Sequence, residues 1–329
     1  MMKKIMKLPT YLVLAFLSLA VVSCDNDDDI VDIVPGEDTL AEVVRTNPDF
    51  SILNDALVRT QINLLLSQAD GTFTVFAPND GAFQTFLEAN SFESIEDVPL
   101  EDLTNLLLNH ILNTSTSSTD LTNGYVKNRA SNSGGDNIDL YIDVTNGVVL
   151  NGGATVTATD LGARNGIIHV VDEVIELPSV VTLAAANPIF SNLVTAVTQE
   201  NLDGVLSNQS ELYTVFAPTN DAFQALVDAD PNDAITSVAD ILALSNLSDI
   251  LLYHVVDGSA IRTEDVLAAI EADLTINEFV VDPITMGTFT IDTNLEITDG
   301  SRTLVTLVVT NVTAANGVVH AIDFVLRPS

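Results

Sequence analysis

The chain has no tryptophan, a single cysteine, and only 11 lysines and arginines against 46 aspartates and glutamates in 329 residues. Each scarcity excludes something. Cys24, being alone, cannot form a disulfide within the chain, and no CxxC zinc pattern exists. A net charge of −35 at pH 7 repels phosphate, so no nucleic acid partner is expected; binding one needs clustered cations. The same charge opposes anionic lipid heads. It suits salty water, where screening over roughly 8 Å damps self-repulsion. The acidic surface is expected to be solvated, with divalent cations as diffuse partners the alternative. Aromatics make up 5% of the chain, which argues against a deep cleft that stacks sugars and leaves flat, polar, multipoint contact. There is no GxSxG elbow, HExxH, P-loop or GxGxxG. No catalytic residue, metal site or cofactor is therefore expected. A paired Asp/Glu hydrolase is the enzyme class that abundant carboxylates leave open.

What is present begins with an address. Lys3, Lys4 and Lys7 precede the apolar run of residues 11–22. Twelve residues are too few to span a bilayer, which takes about 20, but suit a signal peptide. The run ends "VVSC", which resembles a bacterial lipobox, so residues 1–23 read as a lipoprotein signal and Cys24 as the lipidation site. Several acyl chains at about 0.8 kcal/mol per buried CH₂ anchor firmly. Residues 24–36 form an acidic tether whose "DNDDD" resembles the export signal of surface lipoproteins, with a plain spacer as the competing reading. The expected location is the outer membrane, exposed at the cell surface.

The dominant pattern is a repeat. Residues 47–84 and 187–224 align without a gap, with 16 identities in 38 positions, and share "TVFAP" at 74–78 and 214–218. A spacing of about 140 residues is the size of a whole domain, not of a solenoid unit of roughly 20–50. The expected domains are 37–178 and 179–329, joined only by Leu177-Pro178-Ser179, which predicts a restricted relative orientation.

Within each unit helices come first. Leu40, Val43, Val44, Phe50, Leu53 and Leu57 fall at helical spacing, capped by Asp38 or Thr39 and broken at Asn47-Pro48. "GTFTVFAPND" predicts a strand running into a turn, "GAFQTFLEA" a helix, and residues 100–112 an apolar helix. The period then alternates, with a hairpin at Asn146-Gly147 and a closing strand after Asn165-Gly166. Helices followed by antiparallel strands predict an α+β fold.

These landmarks resemble the fasciclin family. The second unit carries "TVFAPTNDAF", "LLYHVV" and "NGVVHAIDFVL"; the first carries "TVFAPNDGAF", "LLLNHIL" and "NGIIHVVDEVI". The resemblance covers residues 37–329 and implies two tandem domains, each an antiparallel β-wedge packed with a helical layer. It also implies extracellular adhesion to matrix proteins, glycans or cells, with no catalytic mechanism. In that family a Tyr-His segment and an Asp-aliphatic pair before the last box are associated with receptor binding. Carried over, these give Tyr253 and His254 in the second unit, and Asn109, His110, Asp160 and Leu161 in the first. Asn311-Val312 takes the place of the Asp pair in the second unit. Neither unit holds both elements intact, which counts against an animal-type receptor mechanism.

All four histidines fall at repeat-equivalent positions, His110 with His254 and His169 with His320. The spacing lacks close ligand pairs such as HxxxH. The expected role is a ring packed in the wall with a nitrogen bonded to backbone, loosened by protonation near pH 6; a binding surface and a metal site are the alternatives. The sequence thus points to a surface-anchored, non-enzymatic adhesion lipoprotein with a matrix polymer, a glycan or a cell-surface protein as partner and membrane contact only through its lipid. The alternative is an accessory subunit of an outer-membrane polysaccharide-processing or transport assembly.

Overall fold

The computed structural model describes residues 37–229, 234–273, 277–285 and 287–329. The leader, Cys24 and the acidic tether lie outside the described residues. The described residues form one compact unit.

In the first repeat, α1 (Leu40–Thr46), α2 (Ser51–Arg59) and α3 (Ile62–Leu66) lead into β1 (Phe73–Pro78). Thr39 caps α1 in a reciprocal capping box with Glu42. The Asn47-Pro48 break appears as a single 3₁₀ turn. After β1 come α4 (Asp80–Ala89), capped by Asn79, and α5 (Leu100–Asn109). The remaining strands are β2 (Ile111–Leu112), β3 (Gly124–Ser131), β4 (Asn137–Asp143), β5 (Val149–Leu150), β6 (Ala154–Ala163) and β7 (Gly166–Val171). The seven strands close into a barrel in sequence order. Every neighbouring pair is antiparallel except β1 with β7, which run parallel. The antiparallel expectation therefore needs one correction: a parallel seam requires a long crossover between its strands, and here α4, α5 and the intervening strands supply it.

β1 divides two cores. Val75 and Ala77 face the helices, where Leu40, Phe50, Leu53 and Phe83 gather. Phe76 points into the barrel with Leu140, Ile142 and Val171. The period of two along a strand turns "TVFAP" into a wall buried on both faces.

The second repeat follows the same order. It has α6 (Val180–Ala186), α7 (Ser191–Gln199), α8 (Asp203–Leu206), β8 (Tyr213–Pro218), α9 (Asn220–Asp228), α10 (Val238–Leu242) and α11 (Leu247–Leu252). Then come β9 (Val255–Asp257), α12 (Thr263–Ala272), β10 (Glu278–Val281), β11 (Phe289–Asp292), β12 (Glu296–Thr298), β13 (Leu304–Ala314) and β14 (Gly317–Ile322). Among the described residues these strands form a sheet ordered β10-β11-β12-β13-β14-β8-β9 that stays open, with β8 and β14 parallel. The first repeat closes through Leu112 beside Asn128. In the second, α12 follows β9, and Ile284 donates its amide to the Val255 carbonyl at 2.9 Å.

The helical core of the second repeat is thinner. Val180, Ala184 and Val197 stand where the first repeat has Leu40, Val44 and Leu57. An apolar cavity of about 40 Å³ remains between α6, α7, α8 and α11. Filling it with Ala184→Val, the size its twin Val44 already has, is expected to stabilise the chain by about 1 kcal/mol at ~24 cal/mol per Å³. A urea midpoint that moves down instead would show the space to be inaccessible from that position.

The repeats meet along β4 and β13 and along α6. Tyr125 of β3 packs against the helical core of the second repeat and donates its hydroxyl to the Leu183 carbonyl at 2.9 Å. Tyr141 lies edge-on to it, with ring centres 4.9 Å apart. Beside them the Asp139 carboxylate accepts from Lys127 Nζ at 2.6 Å and, across the joint, from the Thr313 amide at 2.6 Å. Arg262 of the second repeat reaches Asp136 of the first at 3.1 Å. Burial pushes the Asp139 carboxyl up, against the pull of Lys127 and the Thr313 amide.

Candidate binding site

Each terminal box is built around an asparagine and a glycine. Asn165 Oδ1 accepts from the Leu40 amide at 2.8 Å, and its Nδ2 donates to the carbonyls of Leu66 and Gln68 at 2.8 and 2.9 Å. Asn316 repeats this with Val180, Leu206 and Asn208 at 2.9, 2.8 and 3.1 Å. A single side chain thus satisfies free N–H groups at one helix start and free carbonyls at another helix end. The following glycines, Gly166 and Gly317, place backbone where a side chain has no room.

The histidines then take fixed tautomers. His110 Nδ1 donates to the Leu106 carbonyl at 2.8 Å, and its Nε2 accepts from the Ile175 amide at 2.9 Å. His254 does the same with Ile250 at 2.7 Å and Leu326 at 2.8 Å. His169 donates from Nε2 to the Thr116 carbonyl at 3.0 Å and accepts the Asp160 amide at 3.3 Å. His320 mirrors it with Ile261 at 2.9 Å and Asn311 at 3.3 Å. In each ring one nitrogen must donate and the other accept, so all four are neutral clips tying one segment to another. Burial pulls His110 and His254 down to about 4, and His320 also below the ordinary value.

Four of the six carried-over positions are inside the protein. Asn109, His110, Tyr253 and His254 are buried, and their polar atoms bond partners inside the chain. Asn109 donates to the carbonyls of Ile175 and Glu176 at 2.9 and 3.1 Å and accepts from Asn128 at 2.8 Å. Tyr253 donates its hydroxyl to the Thr288 carbonyl at 3.1 Å and accepts the Gly300 amide at 3.1 Å. Tyr253→Phe is therefore expected to lower stability by about 1–2 kcal/mol and leave ligand retention on any surface unchanged. Denaturation and binding measured on the same preparation separate the two effects.

The other two positions reach the surface. Asp160 is exposed and Leu161 half-buried, at the point where the pairing of β6 with β7 shifts register between Ala158 and Leu161. Asp160 takes a left-handed backbone at φ 62°, and Asn311 does so at 58° in the matching shift of β13. Asp160 Oδ1 accepts the Ser118 amide at 2.8 Å, and Oδ2 accepts the Ser118 hydroxyl. These bonds, the hydroxyl first, hold its carboxyl below the usual range. Leu161 continues into a surface groove lined also by Asn47, Asp49, Asn79, Asp80 and Thr157. In the second repeat the place of Asp160 is occupied otherwise: Asn311 bonds Thr263 and Glu264 at 2.9 and 2.8 Å. Among the described residues no three His, Cys, Asp or Glu side chains converge as metal ligands.

One further feature of the geometry recurs in both repeats. Thr74 donates to the Thr114 carbonyl at 2.6 Å and accepts the Thr116 amide at 2.9 Å. Thr214 makes the same two bonds with Ser259 and Ile261 at 2.8 and 2.7 Å. The signal was available: a threonine is repeated inside a strand otherwise apolar on both faces, and a buried hydroxyl must find partners.

Comparison with known proteins bears on this arrangement. The fasciclin domain model matches residues 48–178 and 188–328. The transforming growth factor-beta-induced protein ig-h3 of Sus scrofa is 28% identical over 226 residues, covering 68% of this chain and 30% of that protein. Protein sll1735 of Synechocystis sp. is 34% identical over 151 residues, covering 46% of this chain and 98% of that protein. Among solved structures, a FAS1 domain pair from the insect cell adhesion molecule Fasciclin I is 17% identical with a TM-score of 0.48, covering 87% of this chain and 95% of that one. With the domain found twice and spanning most of its length, this chain belongs to the fasciclin domain family.

Proposed function

We propose that the protein is a surface-anchored, non-enzymatic adhesion lipoprotein that binds a matrix polymer, a glycan or a cell-surface protein through two weak modules. Fasciclin domains are associated with cell adhesion and extracellular matrix proteins, and this chain carries two. The observation that supports the reading is the open groove of the first repeat lined by half-buried Leu161 with Asn47, Asp49, Asn79 and Asp80, next along β6 from the exposed Asp160. It is rich in acceptor oxygens and poor in cations, which fits hydroxyl or amide donors of a polymer and repels anions. Acylation of Cys24 would fix the molecule to the outer membrane, and the acidic tether would hold the modules clear of it. Many copies on one cell then convert weak contacts into firm attachment.

The test is retention of the full chain on arrays of glycans and matrix proteins, with and without calcium, at low and near-marine salt. Reproducible retention on one ligand class, weakened by Asp160→Ala, is the expected result. Silence on every surface together with co-purification of a defined envelope protein would favour the accessory-subunit reading instead. Turnover of a glycan or ester, abolished by a single carboxylate change, would establish a hydrolase.

A further inference from the structure

Only 11 lysines and arginines occur in the chain, yet Lys127 and Arg262 meet at the joint between the repeats. Both bond the Thr313 hydroxyl of the second repeat, at 2.8 and 3.1 Å. Asp139 is nearly enclosed, with 4% of its surface exposed. One of its oxygens, Oδ2, receives both Lys127 Nζ from β3 and the Thr313 amide from β13. Lys127 also approaches the Asn311 carbonyl at 3.4 Å. The charged groups around this carboxylate are thus Lys127 on its own repeat and Arg262 facing it from the other, the latter shared with Asp136 and Glu264.

We propose that Lys127 is a positioning residue that locks the two repeats together by neutralising Asp139 across their joint. Without the ammonium, the repeats could stay in place only by leaving an enclosed carboxylate with a lone amide partner and the more distant Arg262. The Lys127 side chain is 45% exposed but Asp139 is enclosed, so removing the lysine alone is more disruptive than removing both groups, because the survivor is a buried carboxylate without its ammonium. The joint opens in preference to carrying that charge, and the orientation of the two modules is lost while each module keeps its own core. In a chain with net charge −35 nothing else in the joint offers an ammonium to replace it; Lys127 is the one lysine beyond the leader.

Hydrogen exchange of the full chain reads this directly, because the Thr313 amide reports the bond to Asp139. In Lys127→Met the peptide spanning residues 307–316 is expected to exchange about tenfold faster than in the parent at neutral pH, while peptides from β1 and β8 stay unchanged. In the double variant Lys127→Met with Asp139→Asn, which removes both charges, exchange is expected within about threefold of the parent. The proposal is overturned if Lys127→Met leaves the 307–316 peptide within threefold of the parent. It is equally overturned if the β1 and β8 peptides loosen with it, or if the double variant stays as loose as the single one.

Discussion

Gly317→Ala is expected to unfold the second repeat, lowering its melting temperature by about 10–20 °C for a cost of about 3–6 kcal/mol. Gly317 opens β14 at φ 150°, and a Cβ there would sit 2.0 Å from the Tyr213 carbonyl oxygen. The obstacle is main chain, not a side chain that can turn away. Tyr213 is the register partner of Gly317 in the parallel seam, and its amide donates to the Asn316 carbonyl at 2.9 Å. Relief of the clash therefore breaks the seam between β8 and β14. Gly166 in the first repeat is the twin, at φ 155° with a Cβ 2.1 Å from the Phe73 carbonyl oxygen. Gly162→Ala provides the control, since nothing lies within 4 Å of its Cβ position. Scanning calorimetry of the full chain that finds Gly317→Ala and Gly162→Ala equally stable would contradict the role assigned to the seam.

Acidification is expected to remove about 3 kcal/mol of stability for each of His110 and His254. Both titrate at about 4 in the fold against an ordinary value of 6.5, chiefly because burial disfavours the charged ring. The unfolded chain therefore binds protons before the folded one does. Their contribution is fully present above pH 6.5, is lost as pH falls from there toward 4, and changes no further below. Protonation would also put an N–H on Nε2 facing the amide of Ile175 or Leu326, turning an acceptor into a second donor. Asp139 works the other way, since its raised carboxyl favours the fold in acid, but it is one group against three lowered histidines. Urea midpoints measured from about pH 7.5 to about pH 4.5 should fall steeply, and His254→Gln should remove the share of the second repeat. A flat profile would mean that the rings open to solvent without loss of structure.

Much of this was legible in the residues. The two "TVFAP" words marked a strand running into a turn, and β1 and β8 occupy them; that Val75 and Ala77 face the helices while Phe76 faces the barrel emerged only from the fold. The coincidence of histidines between repeats pointed to wall positions bonded to backbone, and their bonds match pair by pair. Other features resisted. The apolar run of residues 100–112 reads as one helix, but α5 ends at Asn109 and Ile111–Leu112 joins the sheet beside β1. Periodicity cannot separate a buried helix end from a buried strand in so short a run. β3 and α12 carry weak patterns: β3 has half-buried positions along much of its length. The joint was invisible because Lys127, Asp139 and Thr313 lie in separate strands, 12 and 174 residues apart along the chain. The burial of Asn109 and Tyr253 was equally hidden, since polar side chains show their partners only once the chain is folded.

The most direct test of two cooperating modules is retention on a matrix-coated or glycan-coated surface, measured for the full chain and for chains lacking residues 37–178 or residues 179–329. If the two modules act together, each deletion should weaken retention by at least about tenfold, the gain that a second linked contact supplies. Undiminished retention after either deletion would contradict the account and leave a single binding module with a structural neighbour.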